Sequence, residues 1–122
     1  MEIKAQNFKL EVFLGSPDEE GWMNASLDID SGCFSGAFLC NIERLEWQQF
    51  ISILKDLYDS AGVKKELSWQ AMEMGLDFQF QLRETGSFTA YYRLAADPAI
   101  GPFLSGEFEA DQSYIPGWLQ SA

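Results

Sequence analysis

The chain has 122 residues, 47% of them apolar and 15% aromatic, enough to bury roughly two thirds of its unfolded surface without staples, so a single domain spanning 1–122 is expected. Nineteen acidic against eight basic residues give a formal charge of -11, which argues against nucleic acid and anionic membranes as direct partners, because both demand a basic surface. The chain has no histidine, so Ser-His-Asp or Cys-His catalysis and ordinary zinc sites are excluded.

Taken in chain order, Phe8, Leu10, Val12 and Leu14 alternate with Lys9 and Glu11 and run into the loop SPDEEG, the period-two signature of a half-buried strand ending in a turn. Trp22 to Asp30 repeats the pattern, with Met23, Ala25, Leu27 and Ile29 on one side. An Asp30-Ser31-Gly32 turn leads to a third strand, with Phe34, Phe38 and Cys40 facing one way and Ala37 and Leu39 the other. Gly36 in its middle predicts a bulge or a close backbone approach. One long helix is expected from about Ile42 to Ser60, with Asn41 as N-cap, Glu43 in the first turn and Gly62 just past the end. At 100° per residue Trp47, Phe50, Ile51, Leu54, Leu57 and Tyr58 form its apolar stripe.

Four further alternating segments follow: Leu67, Trp69, Ala71; Leu76, Phe78, Phe80, Leu82; Phe88, Ala90, Tyr92, Leu94; and Leu104, Gly106, Phe108. Turns at Met74-Gly75 and Glu84-Thr85-Gly86 make the middle three a meander, and residues 97–102 form a longer connection. The tail DQSYIPGWLQSA closes in a short helical turn, capped by Asp111 or Ser113, with Pro116 in its first turn. The fold class is therefore α+β: an antiparallel sheet of about seven strands (three strands, the helix, four strands, the helical turn), with the helix packed on one face.

The acid is unevenly placed. Seven carboxylates and no base lie between Leu10 and Glu43, four more and no base follow Arg93, and the stretch between holds six bases against seven acids. Such acid ordinarily forms a solvated face, but a surface of one sign is also how a protein captures a basic partner quickly and rejects others. A polarised surface is expected if the two acidic ends are neighbours in the sheet. Asp28 and Asp30 leave one strand face and offer two oxygens to calcium, but the glycine and distal glutamate of a calcium loop are missing, so no metal and no cofactor are expected. A glycosidase needs two carboxyls across a cleft, which spacing does not reveal.

Indoles stack on sugar rings, so the four tryptophans raise a carbohydrate-binding or small-ligand reading. Trp47 and Trp69 fall on apolar rows and read as core. Trp22 and Trp118 lie near element ends, off those rows, where an aromatic anchor for a partner is also possible. Cys33 and Cys40 have no base or resolving thiol nearby and read as buried structural thiols, too poorly aligned for a disulfide. The N-terminus has no apolar leader and no eighteen-residue apolar run occurs, so a reducing cytoplasm fits best.

The strand Gly32-Cys33-Phe34-Ser35-Gly36-Ala37-Phe38, the helix pattern Trp47-x-x-Phe50-x-x-x-Leu54-x-x-Leu57-Tyr58 and the closing Phe108-x-x-Asp111-Gln112-Ser113-Tyr114-Ile115-Pro116 together resemble the WapI-type immunity proteins of bacterial toxin systems. The resemblance implies a small cytoplasmic bacterial protein, not an enzyme, that binds and neutralises the C-terminal toxin domain of a cognate polymorphic toxin, often a nuclease. It implies framework roles for Phe34, Phe38, Phe50, Leu54 and Leu57 as core, and for Asp111-Gln112 as a cap or hydrogen-bonding turn. It does not say which residues meet the toxin. Charge makes Asp18, Glu19, Glu20, Asp28 and Asp30 the leading contact candidates for a basic toxin domain, with Trp22 as aromatic anchor.

Overall fold

A computed structural model describes residues 1–71 and 75–122. Met74, part of one expected turn, lies outside them. The elements are β1 (Glu2–Ala5), β2 (Phe8–Leu14), β3 (Trp22–Ser31), β4 (Phe34–Glu43), α1 (Arg44–Asp59), β5 (Lys65–Gln70), β6 (Gly75–Leu82), β7 (Ser87–Ala95) and β8 (Phe103–Asp111), then a 3-10 turn at Gln112–Tyr114 and α2 (Ile115–Gln120). The α+β class holds, with eight strands among the described residues in two antiparallel sheets, β1-β2-β3-β4 and β5-β6-β7-β8.

The added strand is β1, joined to β2 by a two-residue hairpin in which Asn7 takes the left-handed conformation at φ 61°. Asparagine tolerates that region better than most residues. A second two-residue loop, Gly32-Cys33, joins β3 to β4, with Gly32 at φ 64°. No bulge occurs at Gly36: the β3–β4 register runs unbroken from Trp22↔Glu43 to Ser31↔Phe34, and a Cβ there would meet Ile29 only at an ordinary 3.8 Å.

Helix α1 starts later than Asn41. Ile42 is fully buried and paired with Met23, and the Arg44 N–H donates to the Gly21 carbonyl at 2.8 Å, so the strand ladder holds these residues against helix nucleation, which is costly. Glu43 takes the cap position without a side-chain bond. At the other end, Gly62 past the helix adopts φ 87°, as a helix stop requires.

The inner faces of both sheets meet in one hydrophobic core that includes Leu10, Leu27, Phe78, Phe80, Phe88 and Leu94. Helix α1 contributes Phe50, Leu54 and Leu57, and α2 contributes Ile115 and Trp118. Rather than covering one face of one sheet, α1 touches β4 of the first and β5 of the second. Rings knit the layers together: Phe8 stacks on Phe108 at 4.4 Å and lies 4.6 Å from Tyr92, and Phe50 lies 4.6 Å from Trp69. Such pairs add to the area term that drives burial. The Tyr92 hydroxyl also hydrogen-bonds the Ser31 hydroxyl across the two sheets. Gly106 makes room for the phenol, since a Cβ there would stand 2.8 Å from Tyr92 Cζ.

Candidate functional site

The exposed outer face of the first sheet is built by strand alternation, which sends successive side chains to opposite faces. With Leu10, Val12, Met23, Ala25, Leu27 and Ile29 buried inward, the outward positions are Lys9, Glu11 and Phe13 on β2, Trp22, Asn24, Ser26, Asp28 and Asp30 on β3, and Ser35, Ala37, Leu39 and Asn41 on β4. Register sorts them into rows. Lys9–Asp30–Ser35 and Glu11–Asp28–Ala37 form one end, Phe13–Ser26–Leu39 the middle, and Asn24–Asn41 with Trp22–Glu43 the other end.

The middle row sets two large exposed apolar side chains, Phe13 at 53% and Leu39 at 79% exposure, on either side of Ser26. It borders a depression of about 590 Å³ lined by Phe13, Gly15, Asn24, Ser26, Leu39 and Asn41. A polar groove of about 420 Å³ adjoins it, lined by Ser16, Asp18, Trp22, Asn24 and Asn41. Neither Phe13 nor Leu39 stood out in the sequence. The available signal was phase: each is a large apolar side chain one position off its strand's buried row.

Of the expected contact residues, the structure brings Asp18 and Trp22 together and places Glu19 and Glu20 beside them. Asp18 Oδ1 accepts the Glu20 and Trp22 N–H groups, both at 2.9 Å, so this carboxylate closes its own turn, as Asp does in Asx motifs. Glu19 and Glu20 are exposed at the turn tip, with Gly21 at φ 91° behind them. Trp22 is half-buried. Asp28 and Asp30 are exposed on the same sheet face, but at its far end, about 20–26 Å along the strand from Trp22 at roughly 3.3 Å per residue. The acids therefore flank the apolar row from two sides. Lys9 reaches Glu11 at 2.8 Å on this face and offsets part of the charge.

The other candidates are distributed differently. Trp118 is buried, 3% exposed, and its Nε1 donates to the Lys4 carbonyl at 3.0 Å, so it is core and not a surface anchor. Trp69 is likewise buried, with Nε1 donating to the Glu46 carbonyl, and Trp47 is half-buried. Cys33 sits exposed in the hairpin loop, contrary to expectation, while burial pushes the Cys40 thiol up to about 11. Of the C-terminal acids, Glu107, Glu109 and Asp111 lie on β8 of the second sheet and Asp97 in the loop before it, so the two acidic ends do not share a sheet, although β1 and β8 touch. The outer face of that second sheet carries a depression of about 340 Å³ lined by Ser68, Gln70, Asp77, Gln79, Tyr91 and Arg93 among others. Desolvation raises the Asp77 pKa against the lowering effect of Arg93. Among the described residues no three Cys, Asp or Glu side chains converge to hold a metal, and no helix is long and apolar enough to cross a membrane.

Comparison with protein-family models matches the immunity protein WapI-like family over residues 2–122. The chain belongs to the WapI-like immunity protein family. Comparison with curated proteins and with solved structures gave no match.

Residues that carry the WapI-like resemblance divide between framework and surface. Phe50, Leu54 and Leu57 are buried, and Phe38 is half-buried against the core. Asp111 is the cap: its Oδ1 accepts the Ser113 N–H at 2.8 Å and the Ser113 hydroxyl, which holds its carboxyl below the usual range. Gln112 packs over Gly86, its Oε1 buried without a protein partner. Phe34 departs from its expected core role, at 64% exposure. It faces the core side of the sheet, but the first half of β4 extends past the buried layer.

Proposed function

We propose that this WapI-like family member is an immunity protein that acts in the cytoplasm by binding and neutralising the C-terminal domain of a cognate polymorphic toxin, a basic domain of nuclease type. The observation that carries the reading is the family match over residues 2–122. The protein works by occlusion and needs no cofactor. Its contact surface is the outer face of the first sheet: Asp18, Glu19, Glu20 and Trp22 at one end, Asp28 and Asp30 at the other, Phe13 and Leu39 between them.

Physical chemistry supports that face. A formal charge of -11 is complementary to a domain that grips nucleic acid with Lys and Arg, and long-range attraction raises the encounter rate by orders of magnitude at low salt. A desolvated apolar centre with a charged rim is the usual anatomy of a tight interface. The sheet supplies both parts.

The test is co-expression of this chain with the toxin domain encoded immediately upstream of it. Growth restored to that of toxin-free cells, together with a stable complex of the two purified proteins, is the expected result. Unrelieved growth arrest with both proteins present in soluble form would count against the reading.

A further inference from the structure

Strand β4 is the exposed edge of the first sheet. It is ten residues long and pairs only with β3. Among the described residues no backbone hydrogen bond joins residues 34–42 to anything beyond β3, and residues 34–37 are exposed on both faces of the sheet. Natural sheets blunt such edges with lysine, proline, bulges or short strands, because an open row of N–H and C=O groups invites another strand. Here none of these is present: residues 31–42 contain no charged side chain and no proline, and the register has no bulge. β1 and β8, at the edges of the two sheets, touch each other, and β5 lies against α1. Helix α1 follows directly on β4 and touches it too, but residues 34–37 are exposed, so among the described residues the unguarded edge is the first half of β4.

We infer that β4 accepts a strand from the toxin domain, which extends the first sheet to five strands by main-chain pairing. The inference rests on the proposed immunity function and names the contact within it. The pattern of the incoming strand follows from the rows it would extend. On the outer face its neighbours are Ser35 and Ala37, and behind these small residues, one strand further in, stand Asp30 and Asp28. Strands lie about 4.8 Å apart, so a long Lys or Arg reaches over Ser35 or Ala37 to the carboxylate beyond, its stem along the sheet and its charge at the acid. On the inner face Phe34, Gly36 and Phe38 leave an apolar overhang, and the incoming strand covers it with apolar side chains. The occupant is thus a strand with two basic residues at alternate positions flanking an apolar one. A second copy of this chain offers no base along its own β4 to meet Asp28 and Asp30.

Amide hydrogen exchange resolved along β4 provides the test, using the upstream-encoded toxin domain as probe. In the complex the outward-pointing backbone amides of residues 34–41, every second one along the strand, should exchange at least tenfold more slowly than in the free chain, while those already bonded to β3 change less. Phe34→Lys and Leu39→Lys, both at exposed positions where melting temperature should hardly change, should weaken binding at least tenfold, and Asp28→Asn with Asp30→Asn should weaken it while leaving the amide protection in place. A complex that forms with β4 amides exchanging as fast as in the free chain overturns strand addition and leaves the immunity function standing. A wild-type chain that captures no toxin domain removes both. Self-association through β4, seen as a dimer in sedimentation and unaffected by the toxin domain, would also overturn it.

Discussion

Asp77 shows how much a single carboxylate responds to its surroundings. It faces outward on β6 beside Arg93, but one of its oxygens is buried with no hydrogen-bond partner and desolvation raises its pKa. A raised folded pKa means that the protonated form is the one the fold prefers. Its contribution is therefore fully present below the unfolded value of about 3.9 and is lost as pH rises through the folded pKa. At neutral pH the ionised group counts against the fold. Asp77→Asn should accordingly melt at a higher temperature than the parent at pH 7, with the advantage shrinking as pH falls through the raised folded pKa and gone below about 3.9; a lower melting temperature at pH 7 would refute the assignment. The cysteines make a second residue-level contrast. With the Cys40 pKa pushed up to about 11 its thiolate is scarce at pH 8, whereas Cys33 is exposed, and thiolate is the reactive form. Titration with a thiol reagent at pH 8 should label one cysteine at least tenfold faster than the other, and Cys33→Ser should abolish the fast phase.

At the scale of elements, the sequence was legible wherever periodicity and burial coincide. β2, β3, β6 and β7 carry unbroken apolar alternation and bury the residues it selects, except Leu14 at the end of β2, which is half-buried, and α1 buries Phe50, Leu54 and Leu57 from its apolar stripe. β1 is invisible to periodicity because four residues with one large apolar side chain give no period to read. The start of α1 departs from the local signal: Asn41 favours a cap locally, while Ile42 and Arg44 are committed to β3 and the Gly21 loop, and tertiary pairing overrides local preference. Trp118 was ambiguous because a helix of six residues is too short to define a face. The same logic separates two phenylalanines. Phe50→Ala empties a site in contact with Trp47, Trp69 and Phe78 and should cost about 3–5 kcal/mol in chemical denaturation. Phe34→Ala, at 64% exposure, should change stability by no more than about 0.5 kcal/mol. Equal losses at the two positions would mean that β4 is covered after all.

For the whole molecule, two features lay beyond sequence reasoning. The division into two sheets depends on which strands pair across α1, a long-range matter that alternation does not encode, and it puts Asp28 and Asp30 on one sheet and Glu107, Glu109 and Asp111 on the other. The candidate site was legible only in part: charge pointed to Asp18, Glu19, Glu20, Asp28 and Asp30, but their arrangement on either side of Phe13 and Leu39 appears only once register is known. Asp18 also turned out to brace its own loop through two backbone bonds, so its charge and its structural role are separable only by substitutions that keep the acceptor. The proposed contact surface is a sheet face with acids at its two ends and an apolar centre, which would steer and then seat a basic toxin domain. The most direct measurement is the association rate of that domain with the parent chain and with a Glu19→Lys, Glu20→Lys, Asp28→Lys triple variant, followed by stopped-flow across salt. The parent should bind fast at low salt and slow steeply as salt rises, and the variant should be at least tenfold slower at low salt with a flatter salt dependence. Equal rates and equal salt slopes for the two proteins would contradict it.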